Sequence, residues 1–224
     1  MKKVKVICVL FFCFLISNAQ EVIHKPDFLK YNIDADKKER ILNALDSLFK
    51  QLNHNNLDKK YISKKQTELT ISTLEVFLSY ENSKDSTSLK VKDKQLINFY
   101  PVAKSKYALS VAYVSYENTL PKILYLLNLI AKDDNGEISF SIPIDYLTRH
   151  WKTEVIGDIT YHYRDTINKK RAIIFNKKNT QIANKLGVKP EKLDFYMCDN
   201  YQEIVQLLGL VYWHKANGKY RDGY

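Results

Sequence analysis

The chain has 224 residues, and its 35 Lys and Arg against 25 Asp and Glu give a formal net charge of +10. Most of these cations are lysines scattered among acidic residues, which is typical of a solvated surface. A nucleic-acid interface favours clustered arginine with stacking aromatics on one face, so the composition argues against a nucleic-acid partner.

The first 19 residues have the pattern of a secretory signal peptide. Lysines at positions 2, 3 and 5 precede the apolar run VICVLFFCFLI, and Ser17 and Ala19 supply the small residues that a signal peptidase recognises. The run is shorter than the roughly 20 residues that a bilayer span needs. We therefore expect cleavage after Ala19, export to the periplasm or the medium, and no stable membrane span afterwards. An uncleaved membrane anchor is the alternative.

The predicted exported chain contains one cysteine. Cys8 and Cys13 lie in the leader, so Cys198 is left alone and cannot form an intramolecular disulfide. It follows the apolar stretch LDFYM, where a lone cysteine usually packs as a small hydrophobic side chain. A nucleophilic role would require an activating histidine and a lowered thiol pKa.

Residues 34–163 are predicted to form a unit of helices packed on a sheet. The stretch 36–52 has apolar side chains at helical spacing, with Asp36 as its N-cap and Glu39 placed for the reciprocal capping bond. A second helical pattern covers 68–81, although its β-branched residues would also suit a strand.

The composition changes after residue 95. Tyr, Val, Ile and Phe become frequent there, which predicts strands. These strands are expected over 95–103, over 106–116, over 122–143 as a hairpin with its Asn-Gly turn at 133–136, and over 151–164 with a bulge at Gly157. Leu45, Phe49 and Leu52 are expected to be buried against this antiparallel meander. Helices followed by a meander predict an α+β fold, with N-terminal helices packed on a curved antiparallel sheet.

Two helices followed by long curved strands, the last opening with Trp151, resemble the nuclear transport factor 2-like fold. The resemblance covers roughly residues 34–163 and is architectural. It implies a bent sheet folded over the helices and a small-ligand pocket between helix 36–52 and the sheet. A cystatin-like or other helix-on-sheet fold is the alternative.

Residues 164–224 have a different pattern. A helix is predicted over 170–186, ending at Gly187. A buried strand follows in KLDFYMCDN, and YQEIVQLLG supplies an amphipathic helix over 201–208. Asp194 and Asp199 flank that strand and are interpreted as solvated carboxylates.

This last segment resembles the front of the peptidase MA-like domain, the gluzincin type of metallopeptidase, as found in exported Bacteroidota proteins. The resemblance covers roughly residues 160–224 and rests on the helix, strand and helix above together with the tail NGKYRDGY. It implies a partial α/β gluzincin-like segment that precedes an edge strand and an active-site helix bearing His-Glu-x-x-His.

That zinc motif does not occur in the 224 residues. Zinc-dependent peptide hydrolysis needs two histidines one helical turn apart with a carboxylate beside them, and no histidine here has a partner four residues away. The histidines are His24, His54, His150, His162 and His214. His150, His162 and His214 could converge on a metal, but a structural role is the preferred interpretation. Strand alternation places His162 on the face opposite Tyr161 and Tyr163, compatible with a pocket or a wet sheet face.

No catalytic, cofactor-binding or metal-binding residue is therefore assigned, and zinc is expected only if a catalytic helix lies downstream. The preferred interpretation is an exported, truncated or degenerate gluzincin relative without its own catalytic activity, with a peptide or protein as partner. The alternatives are an N-terminal piece of an active zinc metallopeptidase and a small-ligand-binding nuclear transport factor 2-like domain.

Overall fold

The structure is a computed structural model, and it describes residues 23, 25, 33–53, 59–81, 90–117 and 119–213. It confirms the α+β class. The described helices are α1 (Ala35–Asn53), α2 (Thr67–Glu81), α3 (Ile144–Leu147), α4 (Lys169–Lys185) and α5 (Tyr201–Leu207). Both predicted N-terminal helices are present, with bounds within a residue or two of those expected from the apolar spacing. The signal-peptide prediction lies outside the described residues.

The larger sheet contains the predicted meander, and its strands are β1 (Asp93–Ala103), β2 (Lys106–Glu117), β3 (Leu120–Asp134) and β4 (Glu137–Ser141). Each strand pairs antiparallel with the next. The hairpin turn falls at Asn135 and Gly136, whose φ angles of 53° and 98° are the positive values that an Asn-Gly turn accommodates.

Helices α1 and α2 cover one face of this sheet. Leu45, Phe49 and Leu52 of α1 are buried, as predicted, in a cluster that extends across the strands. The ring of Phe49 lies 6.3 Å from that of Tyr113 on β2, and the ring of Phe77 on α2 stacks on the same tyrosine at 5.8 Å. Apolar side chains therefore fill the layer between α1 and the sheet, where the nuclear transport factor 2-like resemblance would place a pocket.

The stretch 151–164 is not one bulged strand, and that prediction was wrong. It forms two strands, β5 (Lys152–Ile156) and β6 (Ile159–Tyr163), which pair antiparallel. Gly157 lies in the tight turn between them with φ of +64°, a conformation that glycine adopts at little cost. This hairpin belongs to a second, smaller sheet and does not extend the meander. The domain boundaries 34–163 and 164–224 remain predictions.

The smaller sheet is completed by β7 (Leu193–Tyr196), which pairs parallel with β6. Helix α4 connects the two parallel strands, and it ends as predicted before Gly187, whose φ is +70°. Strand β7 was expected to be buried, but Leu193 and Phe195 are exposed because β7 is the last strand of the sheet and α4 covers only part of its face.

Sequence patterns missed the strand β8 (Leu210–Trp213), which follows α5 and pairs antiparallel with the middle of β3. It returns the chain to the larger sheet. Among the residues that the structure describes, no helix combines the length and apolar character that a bilayer crossing requires.

Candidate functional site

A cleft of about 810 Å³ lies between the start of α2 and the smaller sheet. Its walls come from the short 3-10 helix Lys64–Gln66, the first turn of α2, helix α3, strands β6 and β7, and helix α5. On the sheet side, His162, Asp194 and Tyr196 line the cleft, whereas Tyr161 and Phe195 face α4. The two faces of the small sheet therefore differ, one packed on a helix and one open to a cavity.

His162 is the central polar group of the sheet wall. Its Nε2 lies 2.7 Å from Oδ1 of Asp194, and its ring stacks on Tyr196 with a centroid distance of 4.3 Å. The side chain is only 18% exposed. The expectation that His162 faces away from its tyrosine neighbours into a pocket or a wet face is confirmed. Asp194, interpreted from the sequence as merely solvated, is its hydrogen-bond partner.

The opposite wall carries an ion pair. Nζ of Lys65 lies 2.7 Å from Oδ2 of Asp145 on α3. Lys64 and Glu68, both exposed, stand beside this pair. The cleft therefore presents carboxylates on both sides of its opening and lysine ammonium groups on one side, so a ligand with both kinds of charge would find partners there.

Gln66 adds an unsatisfied acceptor to this wall. Its Oε1 is buried and has no hydrogen-bond partner within the described part of the chain. A buried amide oxygen left without a donor costs free energy.

Two further titratable groups in the cleft stay protonated near neutral pH. Burial raises the pKa of Tyr196 to about 12, and the negative charges of Asp194 and Asp145 act in the same direction. Burial also raises the pKa of the Cys198 thiol, with Glu203 adding to the effect. Cys198 is partly buried and lines the cleft as a neutral thiol, so it lacks the lowered pKa that a nucleophile needs.

An ion-pair network around Arg164 positions helix α5 at the end of the cleft. The guanidinium contacts the carboxylates of Asp199 at 2.6 Å and Glu203 at 2.7 Å, and it lies 5.2 Å from the ring centre of Trp151. Asn200 caps α5 by accepting a bond from the Glu203 backbone N–H at 2.9 Å. The Asp199 side chain remains 78% exposed, as its interpretation as a solvated carboxylate implies, so Glu203, only 14% exposed, is the main anchor of α5.

Helix α5 contributes the apolar base of the cleft. Leu207 is buried and packs with Ile142 and Ile144, while Leu208 is partly buried against the same cluster. Ile204 is exposed on the cleft surface. The site thus combines an apolar base with a polar rim, as small-ligand and peptide sites commonly do.

The remaining histidines do not join this site in the described structure. His150 is exposed between α3 and β5, and His24, His54 and His214 lie outside the described residues. No group of three His, Cys, Asp or Glu side chains that could hold a metal ion occurs among the residues with described positions. The turn at 133–136 is a plain hairpin turn, as interpreted from its sequence, in which Asp133 accepts a bond from the Gly136 N–H at 2.8 Å.

Comparison with known proteins returned no matching family model and no curated protein of significant similarity. The function of the cleft therefore follows from the chemistry of the residues that line it. Sequence patterns gave no signal for its second wall, because Lys65 and Asp145 are 80 positions apart and neither belongs to a recognisable motif.

Proposed function

We propose that this chain is an exported, non-catalytic peptide-binding protein related to gluzincin-type metallopeptidases, with the cleft as its binding site. The observation that carries the proposal is the cleft of about 810 Å³, which has an apolar base, the Lys65–Asp145 ion pair on one wall and the hydrogen-bonded His162 and Asp194 on the other. That volume lies in the range of small-molecule and short-peptide sites. The predicted leader supports export, and the helix, strand and helix on which the gluzincin resemblance rests correspond to α4, β7 and α5.

The chemistry of the walls favours a peptide over an apolar ligand. A peptide offers backbone N–H donors for the carboxylates of Asp145 and Asp194 and carbonyl acceptors for the lysines. Its charged ends or side chains can meet Lys65 on one wall and Asp194 on the other. Leu207 and Leu208 give its apolar side chains a surface on which to be buried.

The same residues argue for binding rather than for bond cleavage. The hydrogen bond between His162 and Asp194 orients the imidazole, but Cys198 and Tyr196 remain protonated and supply no nucleophile at neutral pH. The zinc-binding sequence of active gluzincins is not in these 224 residues. The groups in the cleft are thus suited to hold a ligand by hydrogen bonds and charge.

A pool of synthetic peptides passed over the immobilised protein tests the proposal, with retained peptides identified by mass spectrometry and their affinities measured in solution. We expect Lys65→Met and Asp194→Asn each to weaken binding by about tenfold, because each removes a charge-assisted contact. Lys104→Met, in the exposed turn between β1 and β2, is the matched control and should leave affinity unchanged.

Two results would contradict the proposal. One is the absence of any retained peptide, or equal retention by the wild type and both cleft variants. The other is hydrolysis of the peptides when zinc is added to the purified chain, because that outcome would assign the protein a catalytic role.

A further inference from the structure

The side of the small sheet opposite the cleft carries a run of exposed apolar side chains. The α4–β7 strip consists of Phe175, Ile182, Leu186, Leu193 and Phe195, all exposed. The rings of Phe175 and Phe195 pack at 5.6 Å, which joins the helix part of the strip to the strand part. Apolar side chains grouped in this way on a surface commonly mark an interaction site.

The strip lies on the side of α4 that faces β7 through the contact between Phe175 and Phe195. About 100° further round the helix, Asn176 accepts a bond from the Asp158 N–H in the β5–β6 turn at 3.1 Å. Phe175 instead contacts β7. Ile182 and Leu186 follow Phe175 by seven and eleven residues, close to whole numbers of 3.6-residue turns, and therefore share its side.

Strand β7 offers an unpaired backbone edge beside this strip. The N–H groups of Leu193 and Met197 donate to carbonyls of Asp158 and His162 at 3.0 Å and 2.9 Å. Because backbone direction alternates along a strand, the intervening N–H groups of Asp194 and Tyr196 point away from β6. No strand in the described part of the chain pairs with that edge of β7. Such an edge can accept an additional strand.

The surroundings of the strip are strongly cationic. Between positions 169 and 192 there is a single acidic residue, Glu191, and the cations are Lys169, Lys170, Arg171, Lys177, Lys178, Lys185, Lys189 and Lys192. Lys169 pairs with Glu154 at 2.7 Å, and the others form no ion pair with any residue whose position is described. Arg171, Lys178 and Lys185 project from the helix beside the strip, on its solvent side.

We propose that β7 and the α4–β7 strip together dock an extended segment of a partner protein by strand addition. The segment has apolar side chains at alternate positions, which cover the strip, and acidic residues at its ends, which meet the surrounding lysines. The strip lies on the opposite side of the small sheet from the cleft, whereas Asp194 and Tyr196, whose amides form the edge, also line the cleft; the interaction does not rest on the function proposed for the cleft.

An anionic membrane surface would also attract lysines flanking apolar side chains. It fits less well, because the outward N–H groups of β7 would face hydrocarbon without a hydrogen-bond partner. A partner strand satisfies the backbone, the apolar strip and the charges at once.

The test measures binding of a labelled synthetic peptide with apolar residues at alternate positions of a threonine background and paired glutamates at both ends. Fluorescence anisotropy gives the affinity, and amide exchange reports on the N–H groups of Asp194 and Tyr196. We expect those two amides to become protected and Ile182→Asp to weaken binding by about tenfold. Ile173→Asp is the matched control, since Ile173 is 57% exposed and Ile182 is 58% exposed on different sides of the same helix.

Two altered peptides separate the components of the interaction. Methylation of alternate backbone nitrogens should abolish binding, and replacement of the glutamates by lysines should weaken it, also by about tenfold. Equal binding of the N-methylated peptide, or equal effects of Ile182→Asp and Ile173→Asp, would overturn the proposal. It would also be overturned if the peptide failed to bind while phosphatidylglycerol vesicles bound the protein and Ile182→Asp abolished that binding.

Discussion

The two sheets differ in how completely they are covered. The larger sheet buries a continuous cluster that runs from α1 and α2 across β1 to β4, including Leu45, Phe49 and Leu109. The smaller sheet buries only Ile159, Tyr161 and Ala172 as its own cluster, with one helix on one face and a cleft on the other. The long antiparallel strands under two helices thus form the main hydrophobic core, whereas the three short strands under one helix leave surfaces exposed that can bind a partner.

This difference predicts an unequal distribution of stability. Burial of apolar area is the main favourable term in folding, so local opening should require less free energy in the smaller sheet than in the larger one. Substitutions in each sheet and hydrogen exchange of their amides test that inequality.

Phe49→Ala should destabilise the protein by about 3–5 kcal/mol, because it removes a nearly fully buried ring from the centre of the larger core. Denaturant unfolding measures the change. Ile174→Ala is the control, an exposed apolar residue on α4 whose loss should cost less than about 0.5 kcal/mol. A cost below about 1 kcal/mol for Phe49→Ala would contradict the packing of α1 on the sheet.

Gly157→Ala should destabilise the smaller sheet by about 2–3 kcal/mol, through left-handed strain and loss of the Asn176 contact. A Cβ at this position would overlap the Asn176 side chain, which holds the β5–β6 turn. Gly187→Ala meets no atom within 4 Å at a similar φ of +70°, so it should cost only about 1–2 kcal/mol.

Hydrogen exchange locates the Gly157→Ala effect. Amides of β5, β6 and β7 should exchange faster in the variant, while those of β2 and β3 keep their wild-type rates. In the wild type as well, the smaller sheet should exchange faster than the larger. Equal amide exchange rates in the two sheets would show that the sheets open as one unit, and would contradict the proposed difference in their local stability.

Substitution of Tyr196 has the smallest expected effect on stability, and it tests the structure of the cleft alone. Its pKa is raised from 10.0 to about 12 by burial and by Asp194 and Asp145, so the folded state favours the protonated phenol. The stability that this shift contributes is complete below pH 10 and is lost as the pH rises towards 12. Tyr196→Phe should therefore lose less stability than the wild type between these pH values.

Ultraviolet titration of the phenolate checks the same shift directly. Asp194→Asn should lower the pKa of Tyr196, because it removes a neighbouring negative charge while leaving burial in place. Ionisation of Tyr196 at its ordinary pKa in the wild type would mean that its ring is solvated and that the cleft wall is more open than described.

Local patterns were sufficient to predict the two N-terminal helices and the four-stranded meander of the larger sheet, but not β8. Apolar spacing gave α1 and α2, and alternation with an Asn-Gly turn gave the hairpin of β3 and β4, because those signals lie within a few residues of one another. The same logic placed His162 towards a cavity. Local patterns failed at Gly157, because a glycine with a positive φ occurs both in β-bulges and in tight turns. Only the strand pairing distinguishes these two structures.

The candidate site was largely beyond sequence reasoning because it depends on contacts between distant parts of the chain. The wall formed by Lys65 and Asp145 exists only when α3 packs beside the start of α2. The pairing of β8 with β3 likewise joins Leu210 to Leu127, which no periodic pattern connects. The exposure of β7 follows from its place at the edge of a sheet, whereas its composition alone suggested burial.

The return of β8 makes the segment between β4 and β8 an insertion in the larger sheet. Strand β3 pairs with β2 along one edge, so β4 and β8 share its other edge, one after the other. A Cβ built on Gly209, just before β8, would lie 3.3 Å from Cδ of Pro143, just after β4, so the two ends of the insertion meet. An inserted segment whose two ends lie close together can be gained, exchanged or diversified without disrupting the sheet into which it is inserted. The inserted segment carries the α4–β7 strip by itself, whereas the cleft lies between the inserted segment and the start of α2.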